Sequence, residues 1–227
     1  MIIPCIDLMD GKVVQLVQGR EKALEGDSPA EMLRKFAAFP EIQVIDLDAA
    51  IGRGSNDELV RFLASNCKAR VGGGVRSAAR ARELLAQGAH RVIVGTAAFG
   101  PAGVNIEFLS QLDPAATVIA LDSKDGRIVI KGWRESTNLT AEAVLHELEP
   151  YCAGFLCTYV DKEGMLQGTD LEWFRRLRAA TSHELTAAGG ITTLDEVRAL
   201  LAMNVHAALG MAIYTGKLTL DELARMQ

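Results

Sequence analysis

Asp7 and Asp122 each close a short apolar run, in Ile6-Asp7-Leu8 and Leu121-Asp122-Ser123. A carboxylate at the end of an apolar strand is costly to bury without partners, so a structural role for the pair needs explicit partners. If the two groups face one another, one can take a proton and the other can give one, its pKa raised by its surroundings. Glycine clusters offer a second kind of chemistry. Gly73-Gly74, Gly95-Thr96, Gly189-Gly190 and Gly210-Met211 each stand where an apolar run gives way to a helical or turn pattern. Glycine lets the backbone approach a ligand closely, and N–H groups at the start of a helix bind anions. Two symmetric pairs predict two phosphate sites, and therefore a long substrate phosphorylated at both ends. The plainer alternatives are that the glycines only permit tight turns and that the aspartates only cap loops.

Other side chains add weaker expectations. Thr158 ends an apolar run and could donate a hydrogen bond, or be an ordinary strand threonine. Arg20 and Arg76 could reach a carboxamide or phosphate, although arginine is commonly a solvated helix-edge residue. Trp133 could stack on a planar ring or simply pack. The four histidines, His90, His146, His183 and His206, have no metal-ligand spacing and read as structural or surface residues, so no metal site is expected.

The elements that must position these groups alternate from end to end. Strands are predicted over 2–7, 42–48, 69–72, 91–95, 116–122, 153–158, 184–187 and 206–209. Helical patterns lie between them near 29–39, 56–66, 77–88, 104–112, 140–149, 170–180, 193–202 and 219–226. Ser28-Pro29, Ser77, Asp170 and Thr193 are N-terminal signals for four of these. Such alternation means parallel strands with crossover helices, either an open sheet or an α/β barrel. Lys12–Gln18 and Arg127–Lys131 are extra strand-like stretches, each behind an Asp-Gly turn that favours a hairpin.

An internal repeat decides between the two architectures. Asp7 with Asp10-Gly11 matches Asp122 with Asp125-Gly126 at an offset of 115 residues. Val71–Ser77 matches Ala187–Thr193 at 116, and Val92–Ala98 matches Ala207–Ile213 at 115. An open sheet has no reason to repeat its fourth strand in its eighth, whereas a closed barrel with two-fold pseudosymmetry does. The prediction is one (β/α)₈ TIM-barrel domain over 1–227, with half-barrels of about 1–112 and 113–227. The length of 227 residues is close to the roughly 250 typical of that fold.

Composition narrows the function classes. A net charge of −5 with scattered Lys and Arg gives no footprint for nucleic acid. No stretch approaches the apolar length of a membrane span, and the N-terminus lacks a signal-peptide pattern. Cys5, Cys67, Cys152 and Cys157 form no C-x-x-C pair and read as reduced core residues. A cytoplasmic, cofactor-free, monomeric protein acting on a small molecule is expected.

At these residues the chain resembles a known family. IPCIDLMDGKVVQLVQG, VGGGVRS, ALDSKDGRIVIKGW, TYVDKEGMLQGTD, AAGGITTLDE and YTGKLTLDEL are similar to the phosphoribosylformimino-aminoimidazole carboxamide ribotide isomerases of histidine biosynthesis. The resemblance implies an Amadori rearrangement of a bisphosphorylated aminoaldose to an aminoketose without cofactor. It also implies that Asp7 abstracts the C2 proton, that Asp122 protonates the ring oxygen, and that Thr158 assists ring opening. Three positions depart from the pattern. Lys162-Glu163-Gly164-Met165 stands where Arg-Asp-Gly-Thr is frequent, the loop from Arg20 to Pro29 is short, and Met211 stands where a basic residue is common. The sister cyclase of the pathway shares both aspartates but has lysine in place of Gln15. A relaxed isomerase that also takes phosphoribosyl anthranilate and a non-catalytic phosphometabolite sensor are the other readings.

Overall fold

The computed structural model describes residues 1–17, 21–101 and 103–227. Among them, eight parallel strands run in chain order: β1 (Ile2–Met9), β2 (Ile42–Asp46), β3 (Ala69–Gly72), β4 (Arg91–Val94), β5 (Thr117–Ala120), β6 (Gly154–Thr158), β7 (Glu184–Ala188) and β8 (His206–Leu209). Ile2, Ile3 and Pro4 of β1 pair with Ala207, Ala208 and Leu209 of β8, so the sheet closes on itself as a (β/α)₈ barrel. Closure removes both exposed edges, which an open sheet would have to protect.

Alternation along the strands builds two apolar layers. Ile2, Ile6 and Leu8 of β1, Val44 of β2 and Val71 of β3 point outward into the core shared with the helices. Cys5, Ile93, Val118, Ala120, Leu156 and Ala208 point inward and fill the barrel. The buried placement of Cys5, Cys152 and Cys157 matches their expected role as core residues, and all four cysteines are free thiols. No helix among the described residues is long and apolar enough to cross a membrane.

The helices covering the barrel begin where capping side chains satisfy their first N–H groups. Ser28 accepts from Glu31 ahead of α1 (Pro29–Lys35), with Glu31 reaching back to close a capping box. The others introduced in order are α2 (Leu47–Ile51), α3 (Asp57–Asn66), α4 (Ala78–Ala86), α5 (Ile106–Leu109), α6 (Ala141–Leu148), α7 (Leu171–Ala180), α8 (Leu194–Ala202), α9 (Met211–Tyr214) and α10 (Leu220–Ala224). Ser77, Asp170 and Thr193 cap α4, α7 and α8 as their positions predict.

Several boundaries differ from expectation. The strand predicted over 42–48 stops at Asp46, because the Asp46 carboxylate caps α2 by accepting from the N–H of Ala49. The helix predicted over 104–112 shortens to α5, where Asn105 caps only one turn. A third antiparallel strand, Glu21–Glu25, occupies the start of the expected loop over 20–29.

Both predicted hairpins form. Lys12–Val17 returns antiparallel to β1, and Arg127–Ile130 pairs with Ser123–Lys124. Asp10 and Gly11 have φ of 51° and 72°, and Asp125 and Gly126 have 49° and 71°, the left-handed pair of a type I′ turn. The two turns are held alike. Asp10 N–H donates to Asp48 Oδ2 at 2.7 Å, and Asp125 N–H donates to Asp161 Oδ2 at 3.0 Å.

Candidate active site

Asp7 lies near the C-terminal end of β1, level with Val14 of the hairpin and Ile45 of β2. Asp122 lies two residues beyond β5, its backbone held by the N–H of Val129 at 2.8 Å. Thr158 is the last residue of β6. These positions put all three side chains on the C-terminal mouth of the barrel, where enzymes of this fold place their chemistry.

A cavity of about 650 Å³ opens there. It is lined by Asp7, Asp122, Thr158 and Trp133, by Gly73, Gly74 and Arg76 after β3, and by Gly95 and Thr96 after β4. Gly189 and Gly190 after β7 and Gly210 and Met211 after β8 complete the opposite wall. The fold thus gathers these sequence-predicted groups around one space. Arg20 lies outside the described residues.

The carboxyls differ in their surroundings. Burial raises Asp7 to a pKa of about 7, and Gln15 Nε2 approaches its Oδ2 at 3.5 Å. Burial also pushes Asp122 up, but hydrogen bonds from Thr158 and from the indole of Trp133 hold it back. The Trp133 Nε1 to Asp122 Oδ2 distance is 2.7 Å, so the indole is engaged at its polar edge. Glu163, in the loop after β6, is the third carboxyl of the cavity. Burial and the nearby charges of Asp7 and Asp122 raise it to about 8. At neutral pH Glu163 therefore keeps its proton while Asp7 is near half ionisation.

The glycine turns do two jobs. Gly73 (φ 101°) and Gly189 (φ 93°) pass so close to the preceding loop that a Cβ would stand 2.1 Å from the Asp46 carbonyl oxygen or 2.4 Å from that of Tyr159. These two are required by packing whatever they bind. Around Gly95 the nearest atom to such a Cβ is the Ala120 Cβ at 3.8 Å, so space is left open on the cavity side.

The N–H groups just ahead of helix α8 are already engaged by a side chain of the helix itself. Glu196 already accepts the N–H groups of Thr192, Thr193 and Thr169, at 3.0, 3.0 and 2.7 Å. The first N–H groups of α9, after Gly210, have no intrahelical acceptor. Arg76 points its guanidinium at the Ala49 and Ala50 carbonyls, at 3.1 and 2.6 Å, and so braces α2 against the Gly73-Gly74 turn.

Sequence reasoning passed over Arg53 and Arg134, and weighed Gln15 only as the position where the sister cyclase has lysine. Arg53 and Arg134 stand exposed on the cavity rim, and nothing in their sequence context separates them from other surface arginines. Gln15 left a signal, being a polar residue inside the apolar run Val13-Val14-Gln15-Leu16 that proves to be buried.

The whole chain has known counterparts. A profile described as "Histidine biosynthesis protein" matches residues 1–219. A protein of Myxococcus xanthus named 1-(5-phosphoribosyl)-5-((5-phosphoribosylamino)methylideneamino) imidazole-4-carboxamide isomerase is 38% identical over 232 residues, covering 98% of this chain and 97% of its own. Its namesake in Methanocaldococcus jannaschii is 36% identical over 229 residues, with the same coverage of both chains. A barrel with opposed carboxyls and glycine turns at its mouth, matched in sequence almost from end to end, belongs to the histidine biosynthesis protein family.

Proposed function

We propose that this protein is the isomerase its relatives are named for, converting a bisphosphorylated N-glycosylamine, an aminoaldose, into the matching aminoketose. The observation that carries the reading is the placement of half-buried carboxyls from opposite sides of the barrel on one cavity, between two glycine-lined walls.

The rearrangement moves protons and leaves the overall oxidation level unchanged, so it needs acid and base groups and no external oxidant or reductant. A protonated group gives its proton to the ribose ring oxygen, and the C1–O bond breaks to leave an iminium at C1. A base then removes the proton from C2, forming an enolamine that tautomerises to the ketone. Asp7, with a pKa of about 7, suits the base. Asp122 and Glu163 are the two carboxyls able to serve as the acid. Hydrogen bonds from Trp133 and Thr158 favour ionised Asp122, whereas Glu163 retains its proton at neutral pH. Thr158 fixes the orientation of Asp122.

The Gly73-Gly74 and Gly95-Thr96 turns would hold one phosphate, and the Gly189-Gly190 and Gly210-Met211 turns the other. With a phosphate anchored at each end, the reacting ribose is held over the carboxyls. Each grip is made far from the breaking bonds and can be used to orient them.

The deciding experiment is a turnover assay of the purified protein on three substrates: the aminoaldose, the ketose supplied with ammonia, and phosphoribosyl anthranilate. Turnover of the aminoaldose alone supports the reading. Turnover of the second substrate but not the first would replace it with the cyclase reading.

A further inference from the structure

Gln15 is a buried side chain, 4% exposed, on the hairpin strand that folds back beside β1. Its amide has three neighbours. Nε2 donates to the Val14 carbonyl at 3.0 Å and lies 3.5 Å from Asp7 Oδ2. Oε1 rests against Gly210, so close that a Cβ at that position would stand 2.6 Å from it. The amide therefore fills the gap between the carboxyl on β1 and the turn that leaves β8. A second link runs parallel to it, because the Tyr214 hydroxyl at the end of α9 donates to the Cys5 carbonyl at 3.0 Å. Both links tie the Gly210–Tyr214 segment to the strand that carries Asp7.

We propose that Gln15 is a positioning residue for the reaction: its wedged amide fixes the Asp7 carboxyl for proton transfer and keeps cations out of the space beside it. The proposal rests on the reading of Asp7 as the base.

The groups around Asp7 fit this role. On β1 itself the nearest titratable group is Cys5, whose thiol burial pushes far above its usual range. Glu163 faces Asp7 from the loop after β6 and Tyr214 from α9, and both are shifted upward by burial with a contribution from Asp7. On the β2 side, Asp46 and Asp48 direct their carboxylates to Asn56. The upward shift of Asp7 has burial as its cause. A neutral amide in contact is compatible with a base poised near pH 7, whereas an ammonium there would hold the carboxylate ionised and weaken it as a base.

Two variants separate positioning from charge. Gln15→Met keeps the volume and removes the amide. It is expected to lower kcat on the order of 10²-fold, the scale of a misplaced catalytic group, with KM nearly unchanged and the acid limb of the pH–rate profile in place. Gln15→Lys puts a cation at the same point. It is expected to move the acid limb down by about 1 to 3 pH units, the usual effect of an adjacent opposite charge. Carboxyl ¹³C NMR titration of Asp7 in wild type and Gln15→Lys, without substrate, reads the same shift independently of turnover. An unmoved Asp7 titration in Gln15→Lys would overturn the proposal even in an active enzyme. So would a Gln15→Met enzyme with wild-type kcat. If Asp7→Asn instead keeps full turnover, the base assignment itself has failed, and the NMR arm shows whether Gln15 still controls the carboxyl.

Discussion

The indole Nε1 of Trp133 donates a 2.7 Å hydrogen bond to Oδ2 of Asp122. The bond spans two ends of one hairpin and comes from a residue whose backbone is itself unusual. Lys131, Gly132 and Trp133 have φ of 55°, 66° and 63°, three consecutive left-handed residues. That turn swings the indole back over the mouth. Because the bond favours the ionised carboxylate, Trp133→Phe should move the Asp122 pKa further above its ordinary value. Carboxyl NMR titration checks the direction, and a downward shift would contradict it.

The pH–rate profile should be bell-shaped and narrow. The base must be ionised, so kcat/KM should fall below about pH 7, where Asp7 takes up a proton. The acid must be protonated, so it should fall above about pH 8 if Glu163 supplies the proton. Because these carboxyls interact, the two limbs belong to the cluster as a whole. Asp7→Asn should cost about 10²–10⁴-fold in turnover. With Glu163 as the acid, Glu163→Gln should cost a similar factor and remove the basic limb; with Asp122 as the acid, Asp122→Asn should do so instead.

Asp7 also carries a stability cost. Its folded pKa is raised, so the folded state binds more protons than the unfolded chain between the ordinary carboxylate range and about pH 7. Its contribution therefore falls as pH rises through that window. Asp7→Asn should be at least as heat-stable as wild type at pH 8 while nearly inactive, a combination thermal denaturation can test.

Two glycine-to-alanine changes should part company. Gly189→Ala sets a methyl against the Tyr159 carbonyl at positive φ, and should lose on the order of 1–3 kcal/mol or more of stability. Gly95→Ala meets no atom nearer than 3.8 Å and should remain folded. Its expected defect is a raised KM, because the methyl projects into space assigned to a phosphate. Equal loss of stability in both would argue that Gly95 serves only the fold.

At the opposite end of the barrel, Arg70 is 1% exposed, ion-paired with Glu41 and Glu184 and hydrogen-bonded to Thr186. Removing one partner of a buried ion pair typically costs about 3–5 kcal/mol, so Arg70→Ala should unfold markedly more easily, as denaturant titration would show. Burial opposes ionisation of Glu41 and Glu184, but Lys68 with Arg70, and Arg70 with Arg91, more than offset it and hold both carboxyls below their usual range. Their contribution is fully present above that usual range and is lost as pH falls through the depressed values. The Arg70→Ala difference should therefore shrink in acid.

The sequence by itself determined the barrel. Strand and helix periodicity, and landmarks repeating at offsets of 115 and 116 residues, are local and arithmetic properties that need no coordinates. The same repeat singled out Asp7, Asp122 and the glycine turns. Tertiary structure decided what depends on distance between segments far apart in the chain. It ended β2 at Asp46, whose carboxylate is held by Ala49 and Asn56. It placed Gln15 against both Asp7 and Gly210, 195 residues further along. It also set the three carboxyls apart in proton affinity, because burial and neighbouring charge are properties of the folded cavity. Asp7 and Asp122 read alike in the sequence, and only their partners in space make them chemically different.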